Sequence, residues 1–89
     1  MSCYIVVFEI SNPSTTSKVE KVLKNYGFFC PITENSWAIV TDEKATDIRN
    51  KVGALIGAND RVFVVRSGTA AAWKNSYGSE HDEWLKKYL

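Results

Sequence analysis

The amino-acid sequence predicts a single α+β domain in which two helices cover one face of a four-stranded sheet. Three observations lead to this fold class. Apolar segments follow one another in the order strand, helix, strand, strand, helix, strand; two of the strands are apolar on both faces; and the chain has 89 residues, the length of one domain. A domain of this size buries roughly 60% of its unfolded surface, so we expect function on a surface, a loop or an interface.

The first strand is predicted over residues 3–10, and we expect it at the centre of the sheet. Seven of its eight residues are apolar or aromatic, so both of its faces are apolar. Glu9 is the exception. The turn-forming Ser11, Asn12 and Pro13 end the strand.

The first helix follows this turn and is predicted to begin near Ser17, which forms a capping-box pattern with Glu20, although Thr16 would serve nearly as well. Its end is predicted at Gly27, which suits the left-handed conformation of a C-cap. The second strand spans residues 28–33 and is expected at an edge of the sheet, because Pro31 has no backbone N–H to donate.

The third strand is predicted over residues 36–41 and is again apolar on both faces. Asp42 is the expected cap of a second helix ending at Gly57, and the fourth strand occupies residues 61–67, with an apolar centre at 62–65. This order is that of a ferredoxin-like βαββαβ domain, in which the first and third strands are central. We expect residues 1–68 to form its core and residues 69–89 to form a tail with a short helix.

Charge and cysteine content narrow the functional class. The net charge is +1, with 11 basic and 10 acidic residues, so no excess of positive charge indicates nucleic acid. Cys3 and Cys30 are expected to be free thiols in a reducing compartment. No apolar run approaches the ~20 residues that span a bilayer, and the first residues lack the basic flank and cleavable apolar segment that are typical of a signal peptide. We therefore expect a cytoplasmic protein without a membrane partner.

The second face of the sheet is also expected to be apolar, since the first, third and fourth strands carry apolar residues on both faces. The tail helix, with Trp84 and Leu85, can cover part of this surface. A second copy of the chain is the simplest cover for the rest, because large exposed apolar patches mark interaction sites. We therefore expect a homodimer that forms through the sheet face.

Several segments carry a resemblance to known proteins. They are residues 4–11 (YIVVFEIS), 26–28 (YGF), 36–42 (SWAIVTD), 70–73 (AAAW) and 83–87 (EWLKK). The chain resembles the small CRISPR-associated ferredoxin-like proteins, the dimeric subunit of the spacer-integration complex, and is more similar still to an uncharacterised SinR-like group of the same length.

The resemblance implies a ferredoxin-like homodimer with an acidic residue at the end of the first strand. In the CRISPR-associated family this residue is an Asp, proposed to hold a divalent metal at the dimer axis for nuclease activity. The matching residue here is Glu9, and Ser14, Thr15 and Thr16 replace the basic residues that follow in that family. Two Glu9 carboxylates can hold Mg²⁺, and apart from this ion no cofactor is expected. The alternative is an ion pair between Glu9 and Arg66.

Binding residues are expected at the start of the first helix and in the tail. Backbone amides and hydroxyls at the helix start are expected to form a phosphate site, and the loop at residues 67–69 is expected to form a second. Trp73 can stack on a base. The first hypothesis is a non-catalytic homodimer that binds a nucleotide or nucleic acid; the alternatives are a nuclease with paired Glu9 residues and a protein-interaction module or inhibitor of a larger assembly. The candidate ligand-binding residues are Ser11, Asn12, Ser14, Thr15, Arg66, Thr69, Trp73 and Lys74.

Overall fold

Four antiparallel strands form one sheet in a computed structural model that describes residues 1–68 and 70–89. The strand order is β2-β3-β1-β4, and every neighbouring pair is antiparallel. The prediction that the first and third strands are central is confirmed, and so is the edge position of the Pro31 strand. The elements are β1 (Ser2–Glu9), α1 (Pro13–Lys24), β2 (Phe29–Thr33), β3 (Ser36–Thr41), α2 (Ala45–Gly53), β4 (Arg61–Arg66) and α3 (Ser79–Tyr88).

The main core lies between the sheet and the helices α1 and α2. Alternate residues of β1 point to this side, because successive side chains of a strand face opposite ways. Val6 is fully buried there, and Phe8 is 2% exposed. The other core residues are Tyr4 of β1, Val19 and Leu23 of α1, Trp37 and Ile39 of β3, and Ile48 and Val52 of α2.

A second, smaller core lies on the opposite face of the sheet beneath α3. Leu85 of this helix is buried against Cys3 and Cys30, together with Ala38 and Val40. Both cysteines are free thiols, as predicted. The tail helix therefore covers the β2 and β3 side of this face.

The first helix begins earlier than the capping-box pattern predicted. Asn12 is its N-cap, and its side-chain oxygen accepts a hydrogen bond of 2.9 Å from the backbone N–H of Ser14. Pro13 occupies the first turn, where its fixed φ suits a helix and its missing N–H costs nothing. The hydroxyl of Ser17 instead donates to the carbonyl of Pro13. The prediction of a cap at Ser17 or Thr16 is therefore wrong.

The second helix is shorter than predicted. It begins after Lys44, whose backbone N–H donates to the Asp47 carboxylate at 3.0 Å, and it ends at Gly53 rather than Gly57. Asp42 is not its cap; the carboxylate lies 3.3 Å from the N-terminal amine of Met1. No helix in the described part of the chain is long and apolar enough to cross a membrane.

Candidate functional site

The start of α1, predicted to bind phosphate, is already occupied by a carboxylate of the chain itself. The Asp60 side chain accepts hydrogen bonds from the backbone N–H groups of Gly57, at 2.8 Å, and Ser11, at 3.2 Å. These two bonds, from Gly57 first, lower the pKa of Asp60. An anion here would meet this carboxylate and would have to displace it from the Ser11 amide.

The other residues predicted at this helix start also serve the chain locally. The Asn12 side chain caps the helix through the Ser14 N–H, which leaves that amide unavailable to a ligand. Thr15 is partly exposed on the first turn. Phosphate binding by Ser11, Asn12, Ser14 and Thr15 stays a prediction, with Asp60 as the competing group.

Glu9 forms an ion pair, but its partner is Arg61 and not Arg66. The antiparallel register places Glu9 opposite Arg61 and places Arg66 opposite Tyr4, at the far end of β4. Arg61 Nη1 contacts Glu9 Oε1 on the exposed surface. The proposed partner was wrong because only the strand register decides which of the two arginines lies beside the carboxylate.

Glu9 is not part of a cluster of metal-ligating side chains within the described residues. Within residues 1–68 and 70–89, no group of three or more His, Cys, Asp or Glu residues lies close enough together to hold a metal ion. A Mg²⁺ ion held by paired Glu9 carboxylates stays a prediction, and in such a site Glu9 would have to leave Arg61.

Glu9→Gln is expected to change the free energy of unfolding by less than about 1 kcal/mol, because exposed ion pairs contribute little. The side chains of Arg61 and Glu9 are 75% and 72% exposed, so water screens the pair. Urea unfolding of the variant and the wild-type chain measures the difference. A loss above about 2 kcal/mol would show that Glu9 has a structural role beyond this ion pair.

Trp73 and Lys74 lie in one groove of about 390 Å³ at the start of the tail. The Trp73 indole Nε1–H donates to Asp82 Oδ1 at 2.9 Å, and the Ser76 hydroxyl donates to the same oxygen at 2.6 Å. Trp73 is half-buried and packs against the small core beneath α3. These contacts hold the indole against the tail, and they also shape the groove. Its lining residues are Ala71, Ala72, Trp73, Lys74, Asn75, Asp82 and Lys86.

The remaining predicted binding residues are not part of this groove. Arg66 is exposed near Ser67 and Tyr88, in a separate cavity of about 280 Å³. Thr69 lies outside the described residues. Of the predicted residues that the structure describes, Ser11, Asn12, Ser14 and Thr15 lie together at the start of α1, whereas Glu9 and Arg66 lie elsewhere. Among these described residues, only Trp73 and Lys74 line the same cavity.

A fall in pH is expected to break the hydrogen bond between the Trp73 indole and the Asp82 carboxylate. The hydrogen bonds from Ser76 and then Trp73 lower the pKa of Asp82 from its ordinary value of 3.8. A carboxylate with a lowered pKa stabilises the folded tail above the unfolded-state pKa, and this contribution is lost as pH falls through the folded-state pKa. The Trp73 indole N–H resonance should therefore titrate only below about pH 4.

NMR spectra of the indole N–H region between neutral and acid pH measure this titration. Asp82→Asn should abolish it while leaving the indole signals of Trp37 and Trp84 in place. A Trp73 signal that titrates in Asp82→Asn as it does in the wild-type chain would contradict the assignment.

A polar cluster that the sequence did not indicate joins the turn after α1 to α2 and to the loop before it. The Tyr26 hydroxyl donates to Glu43 Oε1 at 2.6 Å, and Lys51 forms an ion pair with the other carboxylate oxygen. Burial, followed by Glu43, raises the pKa of Tyr26, and Lys51 is the main group that lowers the pKa of Glu43. These groups line a groove of about 420 Å³ and partner one another.

Three large apolar side chains are exposed on the half of the second sheet face that α3 does not cover. Phe63 is 64% exposed, Val65 is 44% exposed and Val7 is 41% exposed. In the register, Val7 lies opposite Phe63, and Ile5 lies opposite Val65, so the four side chains share one face. We call these four residues, Ile5, Val7, Phe63 and Val65, the Phe63 face.

The sequence predicted an apolar second sheet face that the tail helix covers only in part, but it could not identify which residues stay exposed there. Its pattern assigned Phe63 and Val65 to the centre of an apolar strand, without distinguishing them from Val62 and Val64. In the structure Val62 and Val64 pack against the main core, while Phe63 and Val65 are exposed on the opposite side. A continuous apolar run carries no signal that tells the two sides apart.

The chain is similar in structure to a protein whose own function is undescribed. A hypothetical protein, TT1823 from Thermus thermophilus, superposes with a TM-score of 0.68 and shares 19% sequence identity. The match covers 84% of this chain and 93% of that chain. No protein-family model matches the sequence. No curated protein matches it either. The similarity supports the fold alone.

Proposed function

We propose that this chain is a non-catalytic interaction module with a ferredoxin-like fold, and that two copies join through the Phe63 face. The observation that carries the proposal is the exposure of Phe63, which is 64%, on a sheet face whose other half is buried. An aromatic side chain brings a large apolar area to an interface, and exposed apolar patches on small domains mark such sites.

The ferredoxin-like assignment is supported by connectivity and by layering. Each helix links two parallel strands with a third strand between them, and α1 and α2 both contribute to the core on one face of the sheet. The relation to SinR-like and CRISPR-associated proteins that the sequence suggested is likewise part of this proposal.

A second copy is the occupant that best fits this surface. In a two-fold dimer the same patch meets itself, so its charges must be compatible with their own copies. Glu9 and Arg61 lie side by side at one end of the Phe63 face and carry opposite charges. In a two-fold dimer, Glu9 of each copy can pair with Arg61 of the other copy, so that neither charge is left unpaired.

Native mass spectrometry, together with sedimentation at low and high micromolar concentration, tests this proposal. The expected result is a two-subunit species that dissociates on dilution. A monomer at every concentration would overturn the proposal. A retained nucleotide would instead indicate a ligand site in the groove lined by Trp73 and Lys74, and a retained metal would indicate a site at Glu9.

Nucleotide or nucleic-acid binding in the Trp73 groove is a second candidate. The observation that favours it is the placement of Trp73, Lys74 and Lys86 along one groove, which offers an aromatic surface and two cations. Asp82 also lines this groove, but its carboxylate accepts hydrogen bonds from Trp73 and Ser76.

A titration with mononucleotides, cyclic dinucleotides and short oligonucleotides tests this candidate. The double variant Lys74→Glu with Lys86→Glu should abolish binding, because it reverses both charges of the groove. Lys18→Glu on the exposed side of α1 is the matched control and should retain it. Equal binding by both variants would show that the ligand lies elsewhere.

A further inference from the structure

Four aromatic rings surround a groove of about 400 Å³ at the open edge of β2, far from the Phe63 face. Phe29 and Trp37 stack on each other, with ring centroids 5.7 Å apart and an interplanar angle of 27°. Tyr77 and His81 approach from the tail and meet edge to face, with centroids 5.9 Å apart. We call this the aromatic groove.

The ammonium group of Lys24 already lies over one ring of the aromatic groove. Lys24 Nζ lies 6.0 Å from the centroid of the Trp37 ring. The faces of aromatic rings carry partial negative charge and attract ammonium groups at this distance. Lys24 is exposed and extends from the last turn of α1, so its side chain can leave the ring without breaking the core.

The charges of the groove also favour a cation. Glu20 and Glu34 line the groove, and Lys24 is its one lysine. Since Glu20 and Glu34 line the groove together with Lys24, displacement of the lysine ammonium group would leave both carboxylates beside the aromatic rings. A ligand that combines apolar methyl groups with a positive charge matches both features.

The same edge is poorly suited to an added strand. Pro31 lies in the middle of β2 and lines the groove, and it has no N–H to donate to an incoming backbone. Recognition there must depend on side chains. The rings and carboxylates therefore decide the kind of ligand.

We propose that the aromatic groove binds a methylated ammonium group, either of a free molecule such as choline or of a methylated lysine side chain, and that Lys24 is its intramolecular competitor. This inference goes beyond the proposed function and does not depend on dimer formation. Tyr77, which is 55% exposed, closes over the ligand from the tail, while Trp37, which is 4% exposed, forms the floor.

Choline titration, followed by NMR on the indole N–H of Trp37 and the backbone amides of Tyr77 and His81, tests the proposal. The matched control is 3,3-dimethyl-1-butanol, the uncharged isostere of choline, and sodium chloride controls for ionic strength. Choline should give saturable shifts confined to these signals. Absence of shifts, or equal shifts with the uncharged isostere, would overturn the proposal.

Charge variants separate the roles of the groove residues. Lys24→Met should strengthen choline binding roughly two- to fivefold, because it removes the competing ammonium group. Glu34→Gln should weaken binding, whereas Lys21→Met, one turn earlier on α1 and outside the groove, should leave it unchanged. Unchanged affinity in Lys24→Met would refute the competition by Lys24.

A peptide that carries trimethyllysine distinguishes the two sources of the ligand. Tighter binding of the peptide than of choline identifies a modified protein side chain as the natural ligand, and the reverse order identifies a free small molecule. An unmethylated peptide of the same sequence that binds equally well would contradict recognition of the methyl groups.

Discussion

Phe63→Asp is expected to convert the dimer into a monomer while leaving the fold intact. In the proposed dimer Phe63 lies at the centre of the buried surface, where a carboxylate would be removed from water without a partner. The dimer dissociation constant should rise about 30-fold or more, as for other central aromatic residues of interfaces. The side chain is already 64% exposed in one chain, so the stability of the monomer should change little.

Sedimentation equilibrium measures the dissociation constant, and thermal unfolding measures the stability of the monomer. Phe28→Asp is the matched control, because Phe28 is 47% exposed and lies beside β2, at the opposite edge of the sheet. This control should still dimerise. A dimer that survives Phe63→Asp, or that is lost equally in Phe28→Asp, would refute the assignment of the interface.

Leu85→Ala is expected to detach α3 and to lower the free energy of unfolding by about 2–5 kcal/mol. Leu85 is 2% exposed and is the one fully buried side chain of its helix. It packs against Cys3 and Cys30, and burial raises the pKa of both thiols. Loss of its side chain leaves a cavity between α3 and the sheet, which favours opening of the tail.

Urea unfolding measures the stability, and the rate of reaction with a thiol reagent measures how often the cysteines become exposed. Thiols that are buried and protonated react slowly, so the wild-type rate should be low and the Leu85→Ala rate much higher. Leu55→Ala is the control, because Leu55 is 36% exposed. Protected thiols in a Leu85→Ala chain that is still folded would show that α3 does not depend on this contact.

The strands and their places in the sheet follow largely from local sequence pattern. Residues 3–10 and 36–41 are apolar on both faces, a property that only central strands require, and Pro31 confines its strand to an edge. These features act within a few residues, so they can be read without knowledge of the rest of the chain. The burial of Cys3 and Cys30 as free thiols follows in the same way.

The functional surfaces depend on contacts between residues far apart in the chain. Glu9 meets Arg61 rather than Arg66 because the register of β1 and β4 selects one arginine of two. Asp60 reaches the amide of Ser11 across 49 positions of sequence. Neither contact leaves a local pattern that periodicity could detect.

The tail shows the same difference between what local pattern predicts and what distant contacts decide. Its sequence indicated a short helix with Trp84 and Leu85 on one face, and that helix is present. Only the packing of Leu85 beneath β2 and β3 determines which half of the sheet face is covered, and hence that Phe63 stays exposed. Apolar residues specify that burial is favourable, but the area available to each of them depends on how the whole chain folds.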